Sequence, residues 1–536
     1  MGGPVETAAG SWRRGAWRRL GTLALAFLIA ACAAPDTRAP ADYDPSHASR
    51  LLSISYQDIA DIYIDEINVS DLALAGLNSL SSIEPDMAIT RVGGRIKLSF
   101  AGQQVGSFTT PARQDADGWG RLTAAVLKIG RDRSDKLNSA ETETLYETVF
   151  DGVLGELDSF SRYAGREEAR ENRASRDGFG GIGVRIRLVE EGVRILSVME
   201  NTPAERAGLV DNDVITDIDF VPTTGLNQRE VVRRLRGPLR SRVELTIKRM
   251  NQPNPIFVSL VRAHIVPQTV KYTRMGDIGY IQIAGFNQST ARALREKIRL
   301  AKAEIGPRLR GFMIDMRGNP GGLLDQAVAV ADLLISHGRI VSTHGRHPDS
   351  HQYFDAAPDD LAKNRPLVVL INGNSASATE IVAASLQDSG RAVVVGSGSF
   401  GKGTVQTVLR LPNEGELTLT WARFHAPSGY ALHRRGVLPD ICTTDEDRDA
   451  EQVLQRLRSG LLPIDEATRH KEVDPRDDQK LESLRDRCPP RQSDSDIDLQ
   501  VAKRLLGDPE LYARALGNKI PDTAELEPDQ AAAHSH

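Results

Sequence analysis

Cysteine is scarce in this chain, three among 536 residues, which excludes a disulfide-scaffolded miniprotein and any four-cysteine zinc or iron–sulfur centre. Charge of one sign is lacking too. With 67 Lys and Arg against 72 Asp and Glu the net charge is -5, so no whole-chain electrostatic footprint for nucleic acid exists. The eleven histidines are scattered, without H-E-x-x-H or another ligand spacing, and no metal site or cofactor is expected. No internal repeat is visible. What remains is ordinary globular composition, 40 % hydrophobic and 26 % charged, at a length that corresponds to about three to four domains.

A long apolar run is also missing. The longest, residues 20–31, is too short to cross about 30 Å of hydrocarbon comfortably. It follows Arg13, Arg14, Arg18 and Arg19 and ends in Ile29-Ala30-Ala31-Cys32, which resembles a bacterial lipobox. The expectation is a signal peptide over 1–31, lipidation at Cys32 and a mature protein facing an oxidising compartment. A plain cleaved signal with an incidental cysteine is the alternative.

Residues 33–49, rich in Ala, Pro and Asp, read as a tether, giving 32–49 as a linker. Helices are expected at 56–67, 71–80, 118–129 and 139–157, with a hairpin over 87–108, so 50–176 forms a mainly helical N-terminal region. A composition break at Asp177 opens a unit of short strands over 177–262. From there to 442 strands and helices alternate, the pattern of an α/β layer built from crossover units. In its helix at 289–305, Ala291, Leu294, Ile298, Ala301 and Ile305 recur at helical spacing before Gly306-Pro307. Residues 443–536 carry 22 acidic and 14 basic residues and read as a solvated, partly helical tail that packs only locally.

Glycine-rich stretches imitate nucleotide sites. Residues 396–402 fit most of a phosphate loop, but Gly403 stands where Ser or Thr would hold magnesium and the following Thr404-Val405-Gln406 is strand-like. Without a helix N-terminus there, no amides are aimed at a phosphate. Gly373-Asn374-Ser375-Ala376-Ser377 lacks the second glycine of a hydrolase elbow. With no well-placed histidine, a serine nucleophile needs another base. A buried lysine qualifies if its pKa falls from about 10.4 toward 7, at a cost of roughly 4 kcal/mol. Ser377 opens a helix, where free amides favour an oxyanion, although Ser377-Ala378-Thr379-Glu380 also reads as a simple capping box. A second strand-to-helix turn, Arg317-Gly318-Asn319-Pro320-Gly321-Gly322, could bring amides close to a substrate carbonyl, and Lys402 lies in a glycine hinge downstream.

These blocks, with Gly279-Tyr280-Ile281, Phe400 to Gln406, Pro427-Ser428-Gly429 and Pro439-Asp440-Ile441, resemble the carboxy-terminal processing peptidases, tail-specific serine proteases. The likeness covers about 145–441. It implies a multi-domain α/β protein: a crotonase/ClpP-like peptidase core at 263–442, a β-rich PDZ domain at 177–262 and the helical N-terminal domain. By the same likeness Ser377 is the nucleophile, Lys402 the general base and Gln406 its orienting partner, with the amides of Gly321 and Ala378 as the oxyanion hole. Asp388 matches as well, whereas Thr379 and the loop 430–435 depart from the pattern.

Gly181-Ile182-Gly183-Val184 corresponds to the PDZ carboxylate-binding loop, followed by a strand that can pair with a peptide and, near 227–235, a helix that closes the groove. The implied activity is a serine endopeptidase, without cofactor, acting on proteins with free C-termini; a silent PDZ adaptor is the rival. Expected partners are such substrates, the membrane through an N-terminal lipid, and a second copy or an adaptor protein, in the cell envelope at the inner or outer membrane. Once lipidation consumes Cys32, Cys442 and Cys488 are the one pair left for a disulfide, the alternative being two free thiols.

Overall fold

The strands Ile278–Ile283, Gly311–Asp315, Leu367–Ile371 and Val393–Gly396 are nearly uninterrupted apolar runs, and parallel strands of that kind need cover on both faces. They form the centre of a six-stranded sheet in the order Val270–Met275, Ile278–Ile283, Gly311–Asp315, Leu367–Ile371, Val393–Gly396, Ile441–Cys442. The first pair is antiparallel and the others are parallel. In this computed structural model residues 43–444, 449–460 and 473–517 are described. The expected signal segment, Cys32 and most of the 32–49 tether lie outside them.

Register separates two layers of core. Ile281, Ile314, Val369 and Val394 are cross-strand neighbours and pack under the helices Thr290–Ile305, Leu324–Asp332 and Ala378–Asp388. One residue earlier on each strand, Tyr280, Met313, Val368 and Val393 form the opposite row. That row meets Leu454, Leu457, Val501, Leu505 and Leu511 of the helices Ala450–Arg458, Asp496–Gly507 and Pro509–Leu516. The expectation of a solvated, locally packed tail is therefore corrected: the apolar stripes of its described helices cover the second face of the core sheet. Cys442 and Cys488 are bonded, with their Cα atoms 5.8 Å apart.

A second sheet, Gln352–Asp355, Arg339–His344, Glu416–His425 and Thr404–Arg410, flanks the first. Leu411, Leu417 and Leu419 beside and on its Glu416–His425 strand complete the core of the helical domain. That domain comprises Pro45–Ile62, Val69–Ser79, Ala116–Arg133 and Thr142–Gly155. The first helix begins inside the expected tether, where Pro45 follows an Asp44 cap, and ends at Ile62, before the expected 67. The hairpin expected at 87–108 is a three-stranded meander, Met87–Val92, Arg95–Phe100 and Gln103–Thr109. The helix expected at 139–157 starts at Thr142, after a separate turn of helix, Asp135–Ser139.

The β-rich domain orders its strands Ile256–Val261, Arg242–Lys248, Val214–Ile218, Gly192–Val198, Val184–Val189. Val184–Val189 therefore has a neighbour on one side and an open edge on the other. The helix Gln228–Leu235 packs Val231 and Leu235 into this domain's core.

Candidate active site

In a parallel sheet the loops leaving the carboxyl ends of neighbouring strands converge. Here Gly311–Asp315, Leu367–Ile371 and Val393–Gly396 are adjacent, so the turns 316–323 and 372–377 and the loop 397–403 share one edge. Asn319 stitches the first two together: its carbonyl accepts the Ala376 N–H at 3.0 Å and the Thr379 hydroxyl at 3.0 Å. The Phe400 N–H, donated to the Ser375 carbonyl at 3.0 Å, joins the third.

Ser377 sits before the helix Ala378–Asp388 with φ 56° and ψ -117°. A non-glycine residue held there stores about 1–3 kcal/mol, a cost that surrounding contacts must offset. The fastening is Glu380, 1 % exposed. Its Oε2 accepts the Ser377 N–H at 2.7 Å and the Lys402 N–H at 2.9 Å. Its Oε1 accepts the Gly401 N–H at 2.7 Å and the Ser399 hydroxyl. One buried carboxylate thus ties the backbones of Ser377 and Lys402 to each other. Burial pushes its carboxyl up, against the pull of those four donors.

Burial holds the Lys402 ammonium below its ordinary 10.5, and the charge of Arg162 adds to the effect. Its Nζ lies 4.9 Å from the centroid of the Phe160 ring, and among the described residues no carboxylate forms an ion pair with it. The carboxylates of Asp158 and Glu380 oppose the lowering, and burial prevails, which is the direction a general base requires. Phe400, two residues before Lys402, is 50 % exposed.

Gln406 does not hydrogen-bond Lys402 here. Its Nε2 donates to the hydroxyls of Thr404 at 2.8 Å and Thr420 at 3.2 Å, which occupies both amide protons.

Gly321 differs from expectation as well. Its N–H is given to Asn319 Oδ1 at 2.9 Å, so the amide expected to hold an oxyanion is already engaged. What the residue contributes is room. At φ 100° a Cβ on Gly321 would stand 2.7 Å from the Ala376 carbonyl oxygen and 3.0 Å from the Ala378 nitrogen. The neighbouring Gly322 N–H and the Ala378 N–H have no acceptor among the described residues.

Two features escaped the sequence reading. Glu380 was legible only as a helix cap, because three of its four partners come from the separate loop 397–403. His433 does stand near the site, its ring centroid 6.3 Å from that of Phe160, where burial and the charges of Arg423 and Arg434 keep its imidazole below 6.5. Asp388 accepts the N–H and hydroxyl of Ser428 at 3.0 and 2.6 Å, securing the start of the 428–436 loop.

The residues 181–184 belong to the β-rich domain and not to this edge. Gly181 pairs with Ala263, Ile182 is buried in that domain's core, the Gly183 carbonyl accepts the Met199 N–H at 2.9 Å, and Val184 begins the open-edged strand. Among the described residues no group of three or more His, Cys, Asp or Glu is arranged to hold a metal ion.

Residues 277–443 match the family model of Peptidase family S41, and residues 194–249 match that of a PDZ domain; residues 181–184 precede the latter match. The chain is similar to a carboxy-terminal-processing protease of Bartonella bacilliformis, 40 % identical over 313 residues, covering 58 % of this chain and 72 % of that protein. It is 31 % identical over 312 residues to a probable CtpA-like serine protease of Staphylococcus aureus, covering 58 % of this chain and 62 % of that one. Among solved structures it is similar to a photosystem II D1 C-terminal processing protease at 23 % identity and a TM-score of 0.37, over 74 % of this chain and 95 % of that one.

Proposed function

The chain belongs to peptidase family S41, that of the carboxy-terminal-processing serine proteases, and on that premise we propose that Ser377 is its nucleophile and Lys402 its general base. The supporting observation is the Glu380 carboxylate, which accepts the amides of both residues and so fixes the distance between their backbones. Neutral Lys402 takes the proton of the Ser377 hydroxyl as its oxygen attacks the scissile carbonyl. The Ala378 and Gly322 amides receive the oxyanion. Collapse of the tetrahedral intermediate breaks the C–N bond, and the leaving amine takes the proton from the Lys402 ammonium. Water, deprotonated by the same lysine, then hydrolyses the ester on Ser377.

The PDZ domain supplies substrate choice in this reading. Amides around 181–184 take the substrate's terminal carboxylate, and the open edge of Val184–Val189 accepts the tail as an added strand. Lipidation of Cys32 anchors the enzyme in the cell envelope; the Cys442–Cys488 bond suits an oxidising compartment. Cys32→Ser should move the protein from the detergent phase to the aqueous phase, and equal partitioning would remove the anchor.

The test of tail recognition compares one substrate with a free and with an amidated C-terminus. Amidation should raise KM with little change in kcat, because the contact lies away from the reacting bond. Equal cleavage of the two would exclude carboxylate capture.

A further inference from the structure

The peptidase match ends at residue 443, yet the loops of the proposed site are fastened from beyond it. Three turns are held by one short stretch. At the Ser377 turn, the Gly373 N–H donates to the Arg491 carbonyl at 2.7 Å and Asn374 Nδ2 to the Gln492 carbonyl at 2.8 Å. At the Lys402 loop, the Gly398 N–H donates to the Cys488 carbonyl at 3.2 Å and the Arg491 N–H to Ser397 Oγ at 3.1 Å. Arg485 adds a bond from its guanidinium to the Ser399 carbonyl at 3.2 Å. At the glycine turn, Arg317 donates to the Ser495 carbonyl at 2.9 Å and to Asp498 at 3.2 Å.

The stretch is itself tied at both ends. Asp498, 0 % exposed, takes two bonds from Arg491 at 2.9 and 3.0 Å, and Arg491 also reaches the Thr443 carbonyl at 2.8 Å. The Cys442–Cys488 bond fixes the other end to the last strand of the sheet. Ordinary surface cover would need apolar contact alone. Here the bonded groups belong to the turns themselves, the backbone of Gly373, Gly398 and Ser399 and the side chains of Asn374, Ser397 and Arg317, where a displacement of about 1 Å is worth roughly a hundredfold in rate.

We propose that residues 485–498, anchored by the Cys442–Cys488 disulfide and by Arg491–Asp498, form a strap that positions the Ser377 turn, the Lys402 loop and the glycine turn for catalysis. The proposal rests on the Ser377/Lys402 reading. Its residues are positioning residues, since they act through the turns they hold and touch no reacting atom.

The experiment uses the full chain as wild type, Arg491→Ala, Arg491→Lys and the double variant Cys442→Ser/Cys488→Ser. For each, kcat and KM on a peptide with a free apolar C-terminus, the pH profile of kcat, and binding of a non-cleavable tail peptide are measured. Arg491→Ala and the cysteine double variant should lower kcat roughly tenfold or more with tail binding unchanged. They should also shift the acid limb of the profile to higher pH, as a loosened Lys402 regains water. Arg491→Lys, which restores a positive charge beside Asp498 that Arg491→Ala lacks, should recover part of the loss. Wild-type kcat and an unmoved acid limb in both loss variants would overturn the strap, as would a fall in kcat that comes in both only together with lost tail binding. Ser377→Ala and Lys402→Ala separate the two levels: if they remain active the site reading falls, and if they are dead while the strap variants keep wild-type kcat only the strap falls.

Discussion

A methyl group placed on Gly321 would lie 2.9 Å from the Cβ of Ser377, closer than non-bonded carbon atoms approach. The glycine turn and the Ser377 turn are therefore packed to contact, and the Asn319 carbonyl holds them there. Gly321→Ala must push the turns apart and also adopt φ 100°. It should cost about 1–3 kcal/mol in stability and roughly a hundredfold or more in kcat, with tail-peptide affinity unchanged. Steady-state kinetics, peptide binding and thermal unfolding on one preparation check the three parts together.

The strain at Ser377 makes a separate prediction. Glycine adopts φ 56° without the penalty a side chain meets, although it gives back roughly 0.5–1 kcal/mol in chain entropy. Ser377→Gly and Ser377→Ala should both be inactive, but the glycine variant should unfold at the higher temperature. An alanine variant as stable as the glycine variant would mean that the turn stores no strain.

Lys402 links stability to pH in a direction opposite to that of a salt-bridged lysine. Its folded pKa lies below the unfolded 10.5, with burial as the main cause. Below the folded value both states are protonated and the native state carries an ammonium it solvates poorly, so the penalty is fully present. As pH rises from the folded value toward 10.5 the native state has already lost its proton, and the penalty fades. Lys402→Met should therefore raise the neutral-pH melting temperature while abolishing activity, and its advantage should shrink at alkaline pH. Melting curves of both proteins across pH test this, alongside a kcat profile whose acid limb must fall below 10.5.

Much of the core was readable because its signals are local. Residues 367–371 are an apolar run bounded by Pro366 and Asn372, the helix at 290–305 repeats apolar residues at helical spacing, and the strand after Lys402 ruled out a phosphate loop before any geometry was known. Tertiary relations were not readable in this way. Val501, Leu505 and Leu511 were masked by the acidic residues around them, although the continuous strands already required a second covering layer. Glu380 carried the sequence pattern of a cap, and only the return of the chain at Gly401 and Lys402 turns it into a link between the Ser377 turn and the Lys402 loop. The resemblance assigned the Gly321 amide to the oxyanion hole, whereas its N–H is taken up by the side chain of Asn319 two residues away, in a local turn that periodicity does not reveal.

The measurement that bears most directly on the dyad is single-turnover cleavage of an unfolded substrate with a free apolar C-terminus, by wild type, Ser377→Ala, Lys402→Ala and the double variant, with and without a zinc chelator. Wild type should cut at the same rate in both conditions. Each single variant should lose all but background cleavage, and the double variant should be no worse than either, because the two side chains act as one unit. Substantial chelator-insensitive proteolysis by a correctly folded Lys402→Ala would contradict the account.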